Sequence, residues 1–327
     1  MKRYLLPKTG LDFKANLHCH TVVSDGALTP EEVKRLYAEQ GYAVVAFTDH
    51  DVLIDQSHLS DEKFLALNGY ELHVPADPVS GQTCHMNFIA KDPKNLEMVC
   101  HAPCYLWGNC AGYADRIKFS RDDYVRERTH AGISDMMRRG RDAGFFVIYN
   151  HPTWSQESYA EYSGYNGMHA MEIFNTGSWA GGYPEYNGRV YDDLLRQGKR
   201  IFCVSTDDNH NKEVNDSFGG FTYIKAESLD YPSVAKALES GNFYASEGPK
   251  IKSLYVEDGI LYAETSPARE IRFNTGTRAV SVAIAPAGET VSRAQIKLDK
   301  RDIYVRLTVT DSEGKHANSN AYFLDEL

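Results

Sequence analysis

Strand-like apolar runs, each followed at once by histidines, carboxylates or amides, recur along roughly the first two thirds of this 327-residue chain. That recurrence constrains the fold more than any other feature. Residues 13–17 lead into His18-Cys19-His20, 43–47 into Asp49-His50-Asp51, and 145–149 into Asn150-His151-Pro152. Residues 169–174 lead into Asn175-Thr176-Gly177, and 201–205 into Thr206-Asp207-Asp208-Asn209-His210. Helical patterns lie between them. Thr29-Pro30-Glu31-Glu32 combines an N-cap, a proline at the first helical position and a capping-box glutamate, and this helix should end at Gly41. Further helices are expected over 133–143, 189–197 and 231–240. Such alternation predicts a parallel α/β sheet or barrel, whose strand carboxyl ends share one rim, so the polar clusters should converge there.

The length accommodates one substantial domain and a smaller companion. A net charge of -10 argues against a broad basic surface, so no stable nucleic-acid partner is expected, although bound cations can still admit a nucleotide. The first ten residues lack the apolar run of a secretory signal, and no stretch approaches the roughly 18–20 apolar residues of a membrane helix. A cytoplasmic protein with reduced thiols and no membrane partner is therefore expected. Cys100, Cys104 and Cys110 near His101 have poor spacing for a zinc knuckle and read as scattered loop thiols. Residues 77–123 read as an insertion near the rim. From 249 onward, short strand candidates separated by Asp-Gly, Pro-Ala-Gly and Glu-Gly turns predict a small antiparallel β-sandwich. The expected domains are thus 1–248 and 249–327, the second a stabilising module without a catalytic constellation.

His18 and His20 are alternate residues, so both can face one side while Cys19 faces an apolar layer. Taken singly, each candidate has an ordinary reading: polar histidines ending a strand, Asp25 as a turn aspartate in Ser24-Asp25-Gly26, His151 as a loop histidine beside Pro152. His50 is flanked by Asp49 and Asp51, either of which can accept a hydrogen bond from its second ring nitrogen. Asp208 and His210 repeat the alternate spacing, with Asp207 as a hydrogen-bonding neighbour. Together, mixed imidazole and carboxylate donors point to divalent Mn²⁺, Fe²⁺ or Zn²⁺ rather than Ca²⁺ or an all-oxygen Mg²⁺ cage.

Leu17 to His20, Ser24-Asp25-Gly26 with Leu28 to Glu32, Thr48 to Asp51, Asn150-His151-Pro152 and Ser205 to His210 carry a family likeness. Over residues 13–248 the chain resembles the polymerase and histidinol phosphatase (PHP) family of metal-dependent phosphoesterases. The resemblance implies a distorted (β/α)7 barrel with two or three divalent metal ions at the strand carboxyl ends. It assigns metal ligation to His18, His20, Asp25, His50, Glu71, His85, His151, Asp208 and His210, with Asp25, His50 and Asp208 also catalytic. Glu71 matches a bridging glutamate, and His85, with His73 and His101 as competitors, matches the histidine that follows it, on a strand expected over 86–90. The implied reaction is hydrolysis of a small phosphate ester, a nucleotide or sugar phosphate, by a metal-bound hydroxide. An exonuclease acting on short oligonucleotides, an amidohydrolase and a noncatalytic metal or carbohydrate binder are the competing readings. Lys212 and Arg121 are candidate phosphate-binding cations.

Overall fold

A computed structural model describes residues 2–119, 123–212 and 214–327. The capping box predicted at Thr29 forms: its hydroxyl accepts from the Glu32 amide at 3.2 Å, and the Glu32 carboxylate accepts from the Thr29 amide at 2.9 Å. The helix Pro30–Glu39 follows and buries Val33 and Tyr37. Helices His130–Asp142, Gly188–Arg196 and Tyr231–Glu239 occupy the other expected places.

The strands belong mainly to one mixed fourteen-stranded sheet. Its first eight strands run, in spatial order, Phe202–Thr206, Ala170–Asn175, Phe145–Tyr149, Cys84–Ala90, Leu65–Val74, Val44–Phe47, Leu11–Asn16 and Phe221–Ala226. The expected all-parallel arrangement is corrected here. Cys84–Ala90 runs antiparallel to both its neighbours, and Phe221–Ala226 runs antiparallel to Leu11–Asn16. The cause of the first reversal is a short return: only nine residues separate Val74 from Cys84, too few for the crossover that parallel neighbours require. The strand expected over 86–90 within the insertion 77–123 forms, starts two residues earlier and is fully buried.

The reversal has a functional consequence. His85 lies at the beginning of its strand, which places it beside the carboxyl ends of the parallel strands, opposite His73 in register. The segments that follow Leu11–Asn16 and Phe202–Thr206, the seventh and first strands of that run, also meet there. Cys19 bridges Asn209, and the Asp208 amide donates to the His18 carbonyl at 2.9 Å. Ala15, Leu17, Val44, Leu67, Phe146, Ile148 and Val204 form an apolar cluster with Val234 and Leu238 of the helix Tyr231–Glu239. Tyr231 donates to the carbonyl of Ala90, at the far end of the strand that starts next to His85, so this helix covers the end away from the histidines.

The large sheet continues across Gly248-Pro249. Phe243–Ser246 pairs with His316–Ser319, a strand too polar in sequence to be anticipated, and onward to Tyr304–Thr310 and Glu270–Thr275. A second antiparallel sheet comprises Arg3–Tyr4, Ile251–Glu257, Ile260–Ala268 and Val291–Lys297. Leu254 and Leu261 from that sheet share one apolar cluster with Ile271, Phe273, Leu307 and Val309 from the large one. Among the described residues no helix is long and apolar enough to cross a membrane.

Candidate metal centre

Glu71 lies in the strand Leu65–Val74 and is 1% exposed. Its two oxygens face different imidazoles. Oε2 lies 3.3 Å from His18 Nε2, 3.3 Å from His20 Nε2 and 3.0 Å from His50 Nδ1. Oε1 lies 3.1 Å from His85 Nδ1 and 3.2 Å from His151 Nε2, and accepts from Asn150 Nδ2 at 2.7 Å. Asp208 approaches from the opposite edge, its Oδ1 3.2 Å from His18 Nε2 and 3.0 Å from His20 Nε2. Asp25 adds a further corner through His210, whose Nε2 lies 3.3 Å from Asp25 Oδ2.

All nine sequence-designated residues therefore gather in one place. They fall into overlapping groups of metal-competent atoms: His18, His20, Glu71 and Asp208; His20, Asp25, His50 and His210; His50, Glu71 and His85; and His18 with His151 and Glu172. His73 and His101 join none of these groups among the described residues. His73 instead packs beside His85, with ring centroids 4.9 Å apart, and His101 packs on Phe119.

The donor set fits divalent ions on three counts. Glu71 Oε2 and His50 Nδ1 are buried with no hydrogen-bond partner. The two Nε2 atoms of His18 and His20 are 3.1 Å apart, and ligand atoms around a tetrahedral ion at about 2.0–2.1 Å are separated by roughly 3.3 Å. Finally, the protein alone must place protons where cations belong. Burial opposes a charged His20, yet the adjacent carboxylates of Asp208 and Glu71, 3.0 and 3.3 Å from its Nε2, lift its pKa to about 10. Burial likewise opposes a charged His151, but the Glu71 hydrogen bond and the Asp208 charge raise it to about 9. Burial would raise the Asp25 pKa, but the hydrogen bond to His210 and the charges of His20 and His50 hold it far below the usual carboxylate range.

The surrounding residues fix the ligands. Asp49 and Asp51 do not serve His50 as expected. Asp49 gathers the Thr21 and Ser24 amides and hydroxyls, which shapes the loop carrying Asp25. Asp51 pairs with buried Arg126 at 2.6 Å. Burial lifts the Asp51 pKa to about 6 despite that partner. Asp207 accepts from Tyr37, Thr176 and the Phe218 amide, as a hydrogen-bonding neighbour of Asp208 should. Cys19 packs with Val33, Tyr37 and Val45. Backbone φ is positive at the ligands His151 and Asp208 (22° and 54°), which a side chain adopts only where its surroundings hold it.

Glu172 is the residue sequence reasoning missed. It is fully buried, accepts from Thr206 Oγ1 at 2.6 Å and the His151 amide at 2.9 Å, and holds His18 Nδ1 at 2.7 Å. Holding one ring nitrogen leaves the other to face the centre. A lone glutamate within Ala-Met-Glu-Ile-Phe was the available signal, since a carboxylate in such a run needs buried partners.

Above the ligands opens a cleft of about 650 Å³ lined by His73, Trp107, Trp154, Gly177, Ser178 and Lys212 with several of the ligands. Lys212 Nζ is 3.7 Å from Asp25 Oδ2 and half exposed. Arg121, the other cation singled out, lies outside the described residues.

No protein-family model matches the chain, and no curated protein matches its sequence. Among solved structures, a two-domain protein from Bacteroides vulgatus, described as containing a predicted PHP-like metal-dependent phosphoesterase, is 15% identical. The match covers 98% of both chains with a TM-score of 0.45. A protein from Bifidobacterium adolescentis, named as a candidate metal-dependent phosphoesterase, is 17% identical over 62% of this chain and 90% of its own, with a TM-score of 0.39. An amidohydrolase from Chromobacterium violaceum, solved with sulfate and no metal, is 17% identical over 60% of this chain and 87% of its own, with a TM-score of 0.37. Resemblance this distant says nothing of a shared reaction, so the chemistry rests on this chain's own residues.

Proposed function

We propose that the protein is a metal-dependent phosphoesterase acting on a small phosphorylated substrate, with the curved eight-strand run forming a distorted barrel around its centre. The observation that carries this reading is the placement of Glu71, whose two oxygens face two sets of imidazoles, an arrangement suited to joining two cations. Manganese, iron or zinc suits the donors, in a centre of two or three ions. When bound, such ions supply charge neutralisation on phosphoryl oxygens and an ionised water at neutral pH.

His18, His20, Asp208 and Glu71 would hold one position; His50 and His85 with Glu71 a second; Asp25 and His210, with His20 and His50, a third. Glu172 keeps His18 oriented, and Lys212 stands at the mouth, where it can meet a phosphate oxygen. No serine or cysteine nucleophile is required, and Cys19 is buried in an apolar cluster.

The test is a panel of phosphate monoesters, short single-stranded oligonucleotides and amides, assayed after chelation and after reloading with Mn²⁺, Fe²⁺ or Zn²⁺. Metal-stimulated release of phosphate from small esters is expected. Cleavage of oligonucleotides alone would move the reading to an exonuclease, and amide hydrolysis without phosphate release would overturn it.

A further inference from the structure

The chain contains three tryptophans, and two of them line the metal cleft. Trp107 and Trp154 line it, and Trp179 lies between the lining residues Ser178 and Gly181. Their exposures are 42%, 37% and 54%, unusual for side chains of this apolar area. Trp107 packs against His50 with centroids 5.6 Å apart, and Trp154 against His85 at 5.3 Å and His151 at 4.9 Å. Two indoles thus stand directly on imidazoles of the centre.

The loops that carry both are held in place by hydrogen bonds. The amides of Thr153 and Trp154 donate to the fully buried Glu185 at 3.2 and 2.7 Å, and Pro152 stiffens the same loop. Near Trp107, Cys110 Sγ donates to the His50 carbonyl at 3.0 Å, and Asn109 Nδ2 donates to the Val22 carbonyl at 3.3 Å. Fixing the loops that carry these aromatic faces lowers the ordering cost of stacking.

Other groups in the cleft suit a hydroxyl-rich ligand less well. Asp216 is already engaged by the amides of His210 and Asn211 at 2.7 and 3.0 Å, and Asp25 faces His210 and Lys212. Lys212 is the sole lysine or arginine among the described lining residues, beside the two flat indole faces.

We propose that Trp107 and Trp154 form a stacking platform that selects phosphoesters carrying a planar aromatic group. The inference rests on the phosphoesterase reading and narrows its substrate class. Stacking is sequence-tolerant and strong: its loss typically changes affinity about tenfold or more.

The experiment titrates the metal-loaded protein with non-hydrolysable phenylphosphonate, cyclohexylphosphonate and methylphosphonate, following tryptophan fluorescence and calorimetric heat. Phenylphosphonate should bind about tenfold more tightly than methylphosphonate, with the cyclohexyl compound clearly weaker than phenyl. Trp154→Ala and Trp107→Ala, checked for unchanged metal content, should remove that preference, and Trp154→Phe should retain most of it. The 5′-phosphonate of adenosine distinguishes the source: tighter binding than phenylphosphonate supports a nucleobase, weaker binding supports an aryl ester, and either supports the platform. Equal affinity for phenyl and cyclohexyl, or a preference surviving both alanine variants, overturns it. If no phosphonate binds the metal-loaded protein, the phosphoesterase reading fails as well.

Discussion

Around Glu71 the fold buries ionisable groups side by side: His18, His20, His50, His85, His151 and Glu172 are all 8% exposed or less. Between the C-terminal sheets it buries Leu254, Leu261, Phe273 and Leu307, while the strands Ile260–Ala268 and Glu270–Thr275 alternate buried and partly exposed positions. The first arrangement requires cations, or protons in their place, to offset adjacent charges and desolvation. The second requires only removal of apolar surface from water. A chain that separates the two can carry a strained, charge-rich site without spreading that strain through its core.

Substitutions in the two regions should therefore have different signatures. Leu307→Ala, which opens a cavity in the C-terminal cluster, should cost about 2–5 kcal/mol of stability by chemical denaturation. Metal affinity per folded molecule should not change. Glu71→Gln should do the reverse, lowering metal affinity at least about 100-fold, since even loss of a residue that only orients a ligand costs about 10–100-fold. Calorimetric metal titration and thermal melting of both variants check the contrast, and parallel losses in the two assays would erase it. Glu172→Gln should weaken metal binding by about 10–100-fold because His18 loses its charged partner.

A smaller effect sharpens the comparison through pH. Burial lifts the Glu157 pKa to about 7, despite hydrogen bonds from Tyr149 and Tyr165. The folded state then binds a proton that the unfolded chain releases near pH 4.3. Between those values the native state holds more protons, so stability should fall as pH rises through that window. Glu157→Gln should flatten this part of the profile, whereas an unaltered slope would assign it to another group.

The sequence made the ligand rim legible because each polar cluster interrupts an apolar run, and a capping box such as that at Thr29 is written in four consecutive residues. Features set by distant partners were not legible in the same way. The strand over 86–90 was legible but its antiparallel direction was not, and Arg3–Tyr4 pairs with Tyr255 and Val256 across almost the whole chain. Backbone ladders leave no local pattern when their side chains are polar, as in His316–Ser319. Glu172 and the Arg126–Asp51 pair escaped because their role depends on which groups the fold brings opposite them.

The most direct measurement is anomalous diffraction from crystals of the full chain loaded with Mn²⁺ or Zn²⁺, collected at the metal edge. The account predicts at least two anomalous peaks with Glu71 as a shared ligand, one also bound by His18, His20 and Asp208 and another by His50 or His85. A single peak without Glu71, or metal bound elsewhere while these side chains remain hydrogen-bonded to one another, would contradict it.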